Sequence, residues 1–339
     1  MTDTNQRARA TSAAASTGAN ARDAVRRTKA GYLSADGKSQ IKALVWEPAG
    51  TGGVTPRGIV QIVHGMAEYV GRYDGFASFL AARGFVVCAN DHIGHGKSAS
   101  AEEDLGHMPL RGGKDVLIAD VHELRRTVAA RFARQTPYVL FGHSMGSFIT
   151  RAYLARHADG LAAAVLCGTG QQPFLLSKAG NLAARAIGAV RGERYRSAFL
   201  DGLGAGAFGK QIEDARTPLD WISTDPAVVE AYLADELCGQ MFTVGGYATL
   251  TDLTGEVVTA ACAERVPKDL PVLFVAGAED PVGACGEGVR RAVEQFRRAG
   301  VREVDCTIYP GMRHEILNEP GRAEVYEDVA TWIEAHTAR

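Results

Sequence analysis

Gly142-His143-Ser144-Met145-Gly146 fits the spacing G-x-S-x-G. A serine flanked by glycines in this way suits nucleophilic attack on an acyl carbonyl. The glycines make room in a tight, strained turn that lifts the Ser144 hydroxyl clear of its neighbours. The pattern alone is weak, because a chain with 39 glycines can form it by chance. Its setting is more telling. The apolar run Tyr138-Val139-Leu140-Phe141 precedes it and a helical pattern follows. That strand–turn–helix context is what a nucleophile turn requires, and the helix start aims backbone N–H groups at a developing oxyanion. The competing reading is a glycine-rich helix start with Ser144 as a simple N-cap.

A serine hydroxyl is a poor nucleophile near neutral pH and needs a neighbouring base. On such turns an acid and then a histidine follow the serine in chain order. Of nine histidines, only His157, His314 and His336 follow Ser144. His157 closes the helix that Ser144 opens, and His336 lies near the C-terminus. His314 sits in a loop just after the last strand-like run, on the edge of the sheet where Ser144 is expected. The acid should follow the apolar run 271–276, where Glu279 and Asp280 are both candidates. Asp280 is preferred because it precedes Pro281, which favours an extended backbone. Its task would be to hold the His314 tautomer and stabilise the imidazolium. Two backbone donors are needed for the oxyanion: Met145, next to the nucleophile, and Met66 in the loop His64-Gly65-Met66.

These residues need a scaffold that brings them to one edge. Strand-like runs at 58–64, 85–89, 138–141, 161–166, 271–276 and 303–309 alternate with helical patterns at 73–83, 116–133, 144–157, 288–299 and 320–336. Such alternation predicts a mostly parallel sheet with helices on both faces. Residues 32–33 and 41–46, joined by Asp36-Gly37, add an antiparallel hairpin, for eight strands in all. Between 171 and 258 the alternation lapses into helical fragments. That stretch is too long for a connection, so it is expected to be an inserted cap over the carboxyl ends of the strands. The core is then 31–170 with 259–339. Residues 1–30, rich in Ala, Thr, Ser and Arg, are expected to form a disordered tail.

The formal net charge of −2 recommends no nucleic-acid partner. No apolar run approaches the roughly 18 residues that would span a bilayer. An N-terminus without an apolar h-region points to the cytoplasm. Six cysteines without a C-x-x-C pair read as reduced, mostly buried thiols, with Cys88, Cys167 and Cys306 in strand-like runs. No metal or cofactor is expected. Gly204 to Gly209 fits G-x-G-x-x-G but lacks the preceding strand that a dinucleotide site needs. The basic stretch 185–196 reads as a solvated helix face that could meet anionic head groups in a transient membrane-surface contact.

Four motifs together resemble the monoacylglycerol lipase / lysophospholipase group of α/β hydrolases. They are His64-Gly65-Met66-Ala67-Glu68-Tyr69, Arg72-Tyr73, Asp91-His92-Ile93-Gly94-His95-Gly96-Lys97-Ser98 and residues 142–146. The segments Thr217-Pro218-Leu219-Asp220-Trp221 and Leu237-Cys238-Gly239 resemble bacterial members. Tyr69 departs from the group, where histidine is frequent. The resemblance implies an α/β-hydrolase fold and hydrolysis of monoacyl lipid esters. It also implies Ser144, Asp280 and His314 as a triad, and a structural turn at 91–98. A serine aminopeptidase of the same fold is an alternative, for which Glu230, Asp235 and Glu236 could hold an amino group. A non-catalytic ligand-binding protein is another.

Overall fold

The computed structural model describes residues 25–49 and 55–338. The chain opens with an antiparallel hairpin, β1 (Val25–Leu33) and β2 (Gln40–Pro48), turned at Asp36 and Gly37. Gly37 has φ of 72°, and the Asp36 carboxylate accepts the Lys38 and Ser39 N–H groups at 2.7 and 2.8 Å. The expected tail is corrected at its end: residues 25–30 are strand, and residues 1–24 lie outside the described residues. β1 is an edge strand whose arginines reach ion partners, Glu47 for Arg26 (2.8 Å) and Asp74 for Arg27 (2.6 Å). Such an edge carries charge rather than an apolar pattern, which hid it from the sequence.

The alternating part follows as β3 (Ile59–Val63), α1 (Asp74–Ala82), β4 (Val86–Asn90), α2 (Gly113–Ala129), β5 (Tyr138–His143), α3 (Met145–His157) and β6 (Ala163–Cys167). Between β6 and the next strand come α4 (Phe174–Arg191), α5 (Ala198–Leu203), α6 (Pro226–Ala234), α7 (Val244–Val257) and α8 (Ala260–Glu264). The chain ends with β7 (Val272–Gly277), α9 (Glu287–Arg298), β8 (Val304–Tyr309) and α10 (Arg322–Thr337). The eight strands form one sheet in the order β1-β2-β4-β3-β5-β6-β7-β8. β1–β2 and β2–β4 pair antiparallel, and the rest pair parallel. This is the expected α/β-hydrolase architecture.

β3 to β7 are buried along their whole length, which is why they read as continuous apolar runs. Alternate residues feed opposite cores. Ile59, Val63 and Leu140 pack with Leu117, Val121 and Leu124 of α2 and with Phe148 and Ile149 of α3. Val60, Ile62, Val139 and Phe141 pack with Phe76 and Leu80 of α1 and with Val329 and Ile333 of α10. Leu253 and Val257 of α7 join the first of these cores.

Arg151 of α3 fastens both ends of the inserted stretch. Its guanidinium, buried, donates to the Gly170 and Val257 carbonyls at 2.9 Å each, and to the side-chain oxygens of Gln171 and Gln295. All six cysteines are unpaired. Cys88, Cys167, Cys238 and Cys262 are buried, but Cys285 and Cys306 are exposed. Cys306 was expected inside; it lies on β8, the far edge of the sheet, which is covered less completely. No helix among the described residues is long and apolar enough to cross a membrane.

Candidate active site

β5 ends at His143, and the chain turns at Ser144 with φ 53° and ψ −122° before α3 begins. A positive φ on a residue with a Cβ is costly and persists only where packing enforces it. The flanking glycines show the enforcement. A Cβ on Gly142 would strike the Thr150 hydroxyl and the Gly146 carbonyl, and one on Gly146 would strike the carbonyls of Val63 and His64. α3 is therefore pressed against the end of β3. The loop after β3 passes so close that a Cβ on Gly65 would lie 3.0 Å from Ser144 Cβ.

His314 is buried in the loop after β8, with Nδ1 3.0 Å from Asp280 Oδ2. Asp280 follows β7, is fully buried, and accepts the Val282 N–H on Oδ1 at 2.9 Å. Glu279 instead stands exposed, 3.9 Å from Arg313. Of the two acids, only Asp280 is placed against His314. Ser144, His314, Met66 and Met145 border one cavity of about 720 Å³. The other late histidines lie elsewhere, His157 stacked on His122 and His336 bonded to Glu303 at 2.7 Å.

A buried polar network that the sequence reading missed lies beside these residues. Glu68 Oε1 accepts the Gly65 N–H at 2.5 Å and the Tyr73 hydroxyl at 2.7 Å, and lies 3.2 Å from His143 Nδ1. His143 Nε2 is 3.3 Å from the His314 carbonyl oxygen. Arg72 bridges Glu315 (2.5 Å) and Glu68 (3.7 Å). Burial alone would raise the Glu68 carboxyl, but the hydrogen bond and charge of His143, with Arg72 beside it, bring it down to about 2. The sequence signals for this network were the i,i+4 spacing of Glu68 and Arg72 and the presence of Glu68, Arg72, Tyr73 and His143 in the motifs that carry the resemblance, neither of which gives their pairing.

The turn at 91–98 has a supporting role. Asp91 accepts the Val70 and Lys97 N–H groups at 2.8 Å each, and Ser98 Oγ donates to the Asp91 carbonyl. His92 N–H donates to His64 Nε2 at 3.0 Å. Burial lowers His92 to about 3 and His95 to about 4, so this histidine cluster is uncharged at neutral pH.

The cavity wall is mostly apolar toward the inserted stretch, with Leu176, Ala183, Phe199, Leu200 and Leu250 among its lining and the polar Asp201, Gln211 and Gln240 beside them. Gly204 and Gly206, from the glycine-rich pattern, form part of that wall. Trp221 sits with its ring 5.1 Å from that of His314, and its carbonyl accepts the His314 N–H at 3.4 Å. Among the described residues that line the cavity, Glu230, Asp235, Glu236 and Cys238 do not appear. Cys238 packs instead with Ile222, Val229 and Tyr232.

Comparison with known proteins shows the family and the fold. Residues 54–321 match the family model described as serine aminopeptidase, S33. A monoacylglycerol lipase from Mycolicibacterium smegmatis is 32% identical over 307 residues, covering 86% of this chain and 92% of the relative. The chain belongs to the monoacylglycerol lipase-like α/β hydrolases. Among solved structures, a thermostable carboxyl esterase from Bacillus coagulans superposes with a TM-score of 0.85 at 33% identity, covering 92% of this hydrolase and 99% of that chain. An open-form lipase superposes with a TM-score of 0.82 at 29% identity, covering 93% and 100% of the two chains. The hydrolase is thus a carboxylic ester hydrolase acting on small-molecule ester or lipid substrates.

Proposed function

We propose that the hydrolase cleaves monoacylglycerol or lysophospholipid esters through an acyl-enzyme on Ser144. Ser144 Oγ attacks the ester carbonyl while His314 Nε2 takes its proton. Asp280, on His314 Nδ1, holds the tautomer and stabilises the imidazolium. The Met66 and Met145 N–H groups receive the oxyanion. His314 then returns the proton to the departing alcohol. Water, activated by the same histidine, attacks the acyl carbonyl, and the fatty acid leaves as Ser144 is restored.

The observation that carries the lipid reading is the cavity of about 720 Å³, mostly apolar along the inserted stretch and bordered by Ser144 and His314. A pocket of that size suits one acyl chain with a small polar end. We take residues 171–258 as the cap that builds it. Leu175, Leu182, Val190 and Leu203 are exposed on cap helices, and a transient contact with a lipid surface fits them. A cytoplasmic site of action stays part of this reading, supported by the unpaired cysteines. The aminopeptidase alternative draws no support from Glu230, Asp235 and Glu236, which lie away from the cavity lining. Glu68 and Glu315, which line it, are already paired with His143 and Arg72. Asp201 of the inserted stretch also lines it, bonded by the Tyr247 hydroxyl at 2.5 Å, so arylamide substrates decide between the two readings.

The test is a matched panel of short p-nitrophenyl esters, long-chain monoacylglycerols, lysophospholipids and aminoacyl arylamides, run on wild type and Ser144→Ala. Long-chain monoesters should be cleaved best, and Ser144→Ala should abolish that activity. Preference for arylamides would replace the lipid reading with the peptidase one. A wild type that is inactive throughout and unlabelled by a fluorophosphonate would leave a binding protein.

A further inference from the structure

Ala67 follows Met66 in the loop after β3 and has φ of 52°. A left-handed alanine costs free energy and needs an external hold. The hold comes from the inserted stretch. The Tyr232 hydroxyl, on α6, donates to the Ala67 carbonyl at 2.8 Å, and the Gly239 N–H donates to the same oxygen at 2.9 Å. Two residues further on, the Tyr69 hydroxyl donates to Asp235 Oδ2 at 2.9 Å. Upstream, the Gly65 N–H is bound by Glu68. Met66 therefore lies between two fastenings, one from its own loop and one from residues 232–239.

We propose that Tyr232 is a positioning residue for the oxyanion hole: through the Ala67 carbonyl its hydroxyl aims the Met66 N–H, so residues 232–239 must be seated for full activity. The inference rests on the reading of Met66 as an oxyanion donor. The structure also makes Tyr232→Phe a clean change. The ring is packed by Ile222, Val229 and Cys238 and covered by the Arg72 guanidinium at 4.7 Å. Phenylalanine keeps those contacts, and Gly239 still satisfies the Ala67 oxygen. An oxyanion donor contributes only as far as it points at the charge that develops in the transition state. Loss of aim therefore lowers kcat and leaves ground-state binding alone.

The experiment compares wild type, Tyr232→Phe and Met66→Pro, the last of which has no N–H at that position. The readouts are kcat and KM on a long-chain ester and affinity for two ligands. One ligand is an alkyl trifluoromethyl ketone, whose hemiketal with Ser144 carries an oxyanion. The other is a monoalkyl glyceryl ether, which forms no adduct. For Tyr232→Phe, kcat and ketone affinity should fall together by about tenfold, less than the loss of a whole donor, with KM and ether affinity unchanged. Wild-type kcat and ketone affinity in Tyr232→Phe would overturn the proposal. So would an equal loss for ketone and ether, which would make Tyr232 only part of the cavity wall. If Met66→Pro weakens the ketone and Tyr232→Phe does not, the oxyanion reading stands and the proposal falls. If Met66→Pro binds the ketone as wild type does, the oxyanion reading itself falls.

Discussion

His143 lays its ring 4.8 Å from that of His314 and places Nε2 3.3 Å from the His314 backbone oxygen. Its other nitrogen faces Glu68 in the loop after β3. A buried pair thus runs from that loop, past the residue preceding Ser144, to the backbone of His314. Burial pulls the His143 pKa down, but the hydrogen bond and charge of Glu68 lift it above the ordinary 6.5. As an imidazolium, His143 donates from both nitrogens, which satisfies Glu68 and the His314 carbonyl together.

This pair makes stability depend on pH in a definite sense. Glu68 is lowered from 4.5 to about 2, so its share is present above 4.5 and lost as pH falls toward 2. His143 is raised, so its share is present below 6.5 and lost as pH rises through its folded value. The two shifts describe one interaction, greatest between those limits. Glu68→Gln should cost about 3 kcal/mol there, as for a broken buried pair. The cost should shrink on either side, read as urea midpoints from about pH 2 to 9. Because Gly65 and Tyr73 also bond Glu68, a constant offset is expected. Parallel curves with no pH dependence would mean that the pair carries no charge.

If Ser144, Asp280 and His314 act as proposed, Ser144→Ala should lower kcat on the order of 10⁵-fold or more, and Asp280→Asn about 10⁴-fold, the losses found in established serine triads. Glu279→Gln, at an exposed neighbour, should stay within about twofold. Steady-state hydrolysis of one good ester substrate decides this. A large loss in Glu279→Gln with Asp280→Asn near wild type would reverse the assignment of the acid.

Chain-length preference should follow the cavity wall. Ala183 of α4 lines the cavity and is half-buried. Ala183→Trp fills part of the volume, so activity on long acyl chains should drop about tenfold or more while short esters are spared, since one lost or blocked methylene is worth roughly 1–3 kcal/mol. The ratio of kcat/KM for long and short monoesters is the measurement. An unchanged ratio would place the acyl chain elsewhere.

Arg151 holds the Gly170 and Val257 carbonyls from inside the protein. Arg151→Met keeps bulk but removes every donor, and each buried acceptor left short costs about 1–3 kcal/mol. A loss of about 3 kcal/mol in urea unfolding is expected on the same basis. A midpoint equal to wild type would show that the neutral acceptors find other donors without cost.

What the sequence determined was whatever local chemistry and pattern can carry. The turn at Ser144 was legible because glycines on both sides of a serine, between an apolar run and a helical pattern, require a tight strand-to-helix turn. β3 to β7 were legible because burial on both faces leaves an uninterrupted apolar run. Chain order singled out His314 as the expected base and offered Glu279 and Asp280 as the acid, with Asp280 preferred for the proline that follows it. Tertiary structure decided the rest. Only packing placed Asp280 against His314 and left Glu279 in solvent. The strand at 25–30 was hidden because an edge strand satisfies its charges through partners distant in sequence. The Glu68–His143 pair and the Tyr232 hold on Ala67 join residues 75 and 165 positions apart. No local pattern encodes such contacts, because they exist only once the sheet and the inserted helices have closed over the site.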